Sequence, residues 1–123
     1  MSWTYQQSTG ILRDLRGTIA GIGYSGFGPH KNLPCAQRLL DQGPIPRGFW
    51  DILGPPEDTL DHGPYVLRLQ PYIDTKTFGR DDFLIRGDCL YCAGKASKGG
   101  IVLPFIVRRE IWQSRDYILL VIA

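Results

Sequence analysis

Two histidines, three cysteines and two pairs of adjacent carboxylates are the side chains of this sequence whose types suit chemistry. Histidine changes charge near neutral pH and is the usual general base. His30 and His62 both stand in turn-rich segments, where an isolated histidine is commonly a solvated surface residue. Cys89 and Cys92 form a C-x-x-C pattern. Three readings of it stay open: a redox pair, a local disulfide, or two ordinary loop thiols. A zinc site needs four ligands. Only Cys35, His30 and His62 remain to complete one, and nothing in their spacing brings them together. No metal and no cofactor is expected. Glu57-Asp58 and Asp81-Asp82 lie in turns, where acids cap backbone or face water more readily than they flank a glycosidic bond. The patterns G-x-S-x-G, P-loop and H-E-x-x-H are absent.

Such side chains need strands and turns to hold them. Fifteen glycines and nine prolines without a fixed period point to many turns, hence many short strands. Residues 3–24 read as a hairpin or meander, with turns at Ser8-Thr9-Gly10 and at Gly17 and a strand over Thr18 to Tyr24. Ser25 to Pro34 is a loop, and Pro34 to Leu40 has room for one or two helical turns. Two prolines between Gly43 and Gly48 remove backbone donors and exclude regular structure there. Phe49 to Leu53 reads as a strand ended by Gly54-Pro55-Pro56. Further strands are expected at Tyr65–Leu69, Phe83–Ile85, Gly99–Leu103 and Tyr117–Ile122. Ile106, Val107, Glu110, Ile111 and Ser114 recur at helical spacing, which predicts a helix near 104–114 opened by Pro104. Trp3, Trp50 and Trp112 are expected to pack in the core or at its edge. The fold class is mostly β with one main α-helix, in a single domain over 1–123.

Composition narrows the function classes. With 43% hydrophobic and 21% charged residues the chain is globular rather than disordered. At this size roughly two-thirds of the surface is buried on folding, enough for a core without staples. A net charge of +2 is too weak for electrostatic capture of nucleic acid. No apolar run approaches the roughly 20 residues that cross a bilayer, so membrane insertion is not expected. The stretch Met1 to Gln7 has neither the basic nor the apolar region of a secretory signal peptide.

A set of short motifs, taken in order, resembles one family. It comprises Trp3-Thr4-Tyr5, Gln7-Ser8-Thr9-Gly10, Gly23-Tyr24-Ser25-Gly26, Lys31-Asn32 with Pro34, and Gly43-Pro44-Ile45-Pro46-Arg47-Gly48. It continues through His62-Gly63-Pro64-Tyr65 with Leu67 and Leu69, then Phe78-Gly79-Arg80, Phe83-Leu84-Ile85 with Gly87-Asp88, and Ala96-Ser97 with Gly99 and Ile101. Together these resemble the type VI secretion L,D-transpeptidase effectors, toxins that act on peptidoglycan in the periplasm of competing bacteria. The resemblance implies an altered L,D-transpeptidase-like fold and peptidoglycan stem peptides as the partner. An immunity protein or a component of the secretion apparatus would be a second partner. It further implies synthesis in the bacterial cytoplasm and delivery by the secretion system. Family members use a cysteine nucleophile, a histidine that carries the proton, and backbone N–H groups that hold the oxyanion.

The two decisive positions depart from that pattern. Where the family has His-Gly-Asp, this chain has Arg86-Gly87-Asp88; where it has Ser-x-Gly-Cys, this chain has Ser97-Lys98-Gly99-Gly100. Arginine keeps its proton at any working pH and cannot act as the base. Glycine offers no nucleophile. A catalytically degenerate member is the first expectation. Its substrate-binding residues would be Arg86, Asp88, Ser97, Gly99, Gly100, His62 and Tyr24, with Arg86 pairing a carboxylate and the Gly99-Gly100 turn presenting N–H groups. Ser97 is also read as a turn cap, and Asp88 as an acceptor for backbone donors. Lys31 and Asn32 are expected along the same groove, Arg47 and Arg80 as loop supports. The alternatives are an enzyme with a migrated nucleophile at Cys89 or Cys92, based by His30 or His62, and a module that binds stem peptides or a partner protein without cutting.

Overall fold

Trp3 and Tyr5 turn into the core from β1 (Trp3–Gln6), Leu12 from β2 (Ile11–Arg13), and Trp50 and Ile52 from β5 (Gly48–Thr59). This alternation of inward and outward side chains is what a half-buried sheet requires. The computed structural model describes residues 2–123; Met1, the first residue of the leader reading, lies outside them. The remaining strands are β3 (Ile19–Ile22), β4 (Tyr24–Ser25), β6 (Gly63–Pro71), β7 (Leu84–Arg86), β8 (Ile101–Val102) and β9 (Ile118–Ile122). All nine join one mixed sheet in the order β3-β2-β1-β9-β5-β6-β7-β8-β4. The pairs β1/β9 and β7/β8 are parallel and the rest are antiparallel.

The two ends of that order, β3 and β4, are neighbours in the chain, so the sheet returns on itself through Gly23. Closure leaves few unpaired strand edges. The corner needs glycine, because a Cβ on Gly23 would overlap the Val102 carbonyl oxygen. The expected single strand over Thr18–Tyr24 is thus two strands, the first paired with β2 and the second with β8. The meander before it forms as expected. Pro34–Ala36 makes a single 3-10 turn.

Two further expectations are corrected. The strand from Phe49 does not stop at Gly54-Pro55-Pro56 but runs to Thr59. Its register with β6 shifts between Leu53 and Glu57, so the prolines pass where the ladder asks for no donor, and pairing resumes at Glu57↔Val66. The helix α1 (Phe105–Gln113) lies within the expected span, but its buried face is Val107, Arg108 and Ile111, whereas Ile106 is exposed. The buried stripe is rotated from the one the apolar pattern marked, so Arg108 turns inward and Ile106 outward. The helix packs against β6 and β7. Trp50, fully buried, meets Phe83 edge-on at 4.8 Å between ring centres and donates from Nε1 to the Pro46 carbonyl at 3.1 Å. Burying each such large apolar side chain contributes about 2 kcal/mol. Trp3 is buried too, and Trp112 stacks on Tyr117 at 4.6 Å.

Candidate functional site

Antiparallel pairing of β5 with β6 closes at Thr59↔Gly63 and puts His62 at the hairpin tip. There the His62 N–H donates to Thr59 Oγ1 at 2.8 Å, an interaction that fixes the turn. The neighbour of β6 is β7, whose last residue is Arg86. The hairpin therefore brings His62 beside Arg86. The guanidinium Nη1 lies 3.1 Å from His62 Nδ1. A guanidinium only donates, so Nδ1 accepts and the ring proton belongs on Nε2. Arg86 also donates to the carbonyls of Ala96, at 3.3 Å, and Gly87, at 3.2 Å.

These groups line a cleft of about 550 Å³ that also takes in Ser97, Gly99 and Gly100. Arg86 and the Gly99-Gly100 turn therefore border one cavity, β7 and β8 running parallel side by side. The lining carries both signs of charge: Arg68 and Lys98 with Arg86, and Asp41, Asp61, Asp81 and Asp82. The lining includes no cysteine, and its one side-chain hydroxyl is that of Ser97. Ser97 is buried, its Oγ accepting from the Gly26 and Gly99 N–H groups at 2.9 and 3.2 Å and donating to the Gly100 carbonyl at 2.7 Å. It ties the turn, as one reading of it held. The same bond corrects the expected nest, since the Gly99 N–H is spent on Ser97 rather than offered to the cleft. Gly100 is held by close approach: a Cβ there would overlap the Leu84 carbonyl oxygen.

Tyr24 and Asp88 do not join this cleft. They border a second recess of about 230 Å³ beside the first turn of α1. The Tyr24 hydroxyl donates to Asp88 Oδ1 at 2.6 Å and accepts from the Ala96 N–H at 2.9 Å. Asp88 also accepts from the N–H groups of Cys89 and Gly94, at 2.8 and 3.0 Å. Asp88 is therefore the acceptor that organises the loop ahead of the cleft. Partial burial works against its charge, but the Tyr24 hydroxyl, the Gly94 and Cys89 amides and nearby Lys31 outweigh it and lower its pKa. Burial, reinforced by Asp88, pushes the Tyr24 hydroxyl up to about 12.

Cys89 and Cys92 are joined by a disulfide, so in this form neither is the thiolate that a migrated nucleophile requires. The free Cys35 is exposed and outside the cleft lining. His30 ends a 3-10 turn and does not line the cleft. Lys31 stacks over the Tyr24 ring at 4.5 Å and Asn32 accepts from the Ser25 N–H at 3.1 Å; neither borders the cleft. Arg80 supports a loop, as expected, donating to the carbonyls of Gln37, Gly43 and Pro44. Arg47 is exposed and engages that loop only through its backbone N–H, which donates to Gln37 Oε1. Among the described residues no group of three or more His, Cys, Asp or Glu side chains could hold a metal ion, and no helix is long and apolar enough to cross a membrane.

The sequence reading missed the acidic wall, although Asp81-Asp82 was visible as a pair. It also missed Arg108, whose signal was its place between Val107 and Ile111 on the inward helical stripe. Comparison with family models, with curated proteins and with solved structures finds no match to this chain.

Proposed function

We propose that this domain is a non-catalytic relative of the L,D-transpeptidase effectors that binds peptidoglycan stem peptides in the Arg86 cleft. The observation that carries the reading is the pairing of a half-buried guanidinium with a glycine turn in one cavity whose lining holds no cysteine. Arg86 takes a stem-peptide carboxylate on Nη2, the nitrogen that His62, Ala96 and Gly87 leave free, a charge-assisted contact of about 2 kcal/mol. His62 holds the guanidinium in place through Nδ1. The acids of the lining take an amino group, so that a chain bearing both charges fits and a purely anionic one does not. Delivery to a competitor's periplasm, with an immunity or secretion-apparatus partner, belongs to the same reading.

Isolated sacculi and soluble muropeptides test it. Saturable binding without a mass-shifted product is expected, and Arg86→Ala should weaken it by about tenfold or more. A trimmed or exchanged muropeptide in the mass spectrum would reject the non-catalytic reading. Equal binding by wild type and Arg86→Ala would reject the cleft. The same assay after reduction of the Cys89–Cys92 bond should remain without product; turnover that Cys89→Ala or Cys92→Ala abolishes would establish a migrated nucleophile.

A further inference from the structure

We infer that the recess beside the first turn of α1 is a second binding site, for a small monocarboxylate with an apolar tail, anchored by Arg108. Arg108 is only 4% exposed. A buried charge is expected to carry a counter-charge. Among the described residues the one ion pair is Arg68–Glu57, so Arg108 has no carboxylate partner. Its Nη1 spends both hydrogens on the carbonyls of Pro64 and Tyr65, at 2.8 and 3.0 Å. Nε is buried without a partner, and no hydrogen bond is formed by Nη2. Nε and Nη2 form one edge of the fork, the edge that matches the two oxygens of a carboxylate. Burial lowers the Arg108 pKa, and the like charge of Arg86 lowers it further, so a bound anion would relieve both.

The surroundings agree. Gly87 borders the recess, and a Cβ on it would lie 2.8 Å from Nη2, so glycine there keeps that nitrogen uncovered. Val102, Leu103 and Phe105 supply apolar walls. Helix α1 begins at this recess with no side-chain cap and no acid in its first turn, leaving its N-terminal dipole to favour an anion. Asp88 on the rim is occupied by Tyr24 and two amides, and its charge selects against a dianion such as phosphate. Nε is screened from solvent, so engaging it requires the guanidinium to turn slightly toward the opening.

The test uses the full chain labelled with nitrogen-15, with the Arg108 Nε–H resonance assigned through bonds. Sodium butyrate is titrated against sodium chloride and sodium phosphate at matched ionic strength. A saturable shift of that resonance and a rise in Tm are expected with butyrate alone. Phe105→Ala, at the exposed mouth, should weaken butyrate by severalfold, and Arg108→Lys by about tenfold if it folds. If Arg108→Lys does not fold, the wild-type titration decides. The same shift with chloride, a stronger one with phosphate, or no saturable shift with butyrate would overturn the inference. No sacculi enter this experiment, so its outcome is separate from that of the Arg86 cleft.

Discussion

Arg80 precedes β7 and Arg86 ends it, yet they are spent in opposite ways. Arg80 is 5% exposed, lies over the Phe83 ring at 5.1 Å, and delivers its donors to three carbonyls of one loop. Arg86 is half-buried, meets a histidine from a distant hairpin, and faces a cleft with charges of both signs. The first guanidinium replaces the backbone partners that the prolines at 44 and 46 deny their loop. The second is held in place but not used up. The residue type is the same; what separates structure from binding is where the donors end.

Substitutions should separate the two. Arg80→Ala leaves buried carbonyls without donors and should cost about 3 kcal/mol of stability in urea unfolding. A loss below about 1 kcal/mol would mean that the loop does not depend on it. Gly100→Ala should cost about 2 kcal/mol by overpacking against Leu84. For the same reason the double variant Arg86→His, Gly100→Cys should be destabilised and yield no muropeptide product, and turnover by it would show that the backbone accommodates the thiol. Tyr24→Phe removes the hydroxyl from Asp88 and Ala96 and should cost about 1 kcal/mol. Arg86→Ala should change stability by less than about 1 kcal/mol while weakening sacculus binding. Equal damage to folding would make Arg86 a second Arg80.

The pH dependence of the Asp88 loop is the smallest effect. Asp88 is held below its ordinary value of 3.8, so the unfolded chain takes up the proton first as the solution is acidified. Its contribution is complete above that value and fades as pH falls through the lower, folded one. Tyr24 does the converse: its contribution is complete below 10.0 and is lost as pH rises toward about 12. Hydrogen exchange at the Gly94 amide should follow both limits, and in Asp88→Asn the acid limb should vanish.

Much of the fold was legible because its signals are local. Glycine and proline marked the turns, the apolar runs marked β6, β7, β8 and β9, and helical spacing with Pro104 marked α1. The errors came where pairing overrode local preference. Gly54-Pro55-Pro56 reads as a stop, but a register shift against β6 carries the strand past it. Within the site, Arg86, Ser97, Gly99 and Gly100 were singled out by the resemblance, at motif positions on both sides of one loop. The resemblance grouped Tyr24 and Asp88 with them, yet they border the other recess.

The sequence alone determined the element types, and that position 100 carries no side chain and position 86 a permanent cation. Those are properties of single side chains and of short backbone preferences. Only the tertiary structure decided that His62, 24 residues away, touches Arg86, and that Arg108 lies buried on an inward helical stripe. Strand register and helix packing set these distances, and both depend on which surfaces meet, which no local window of residues contains.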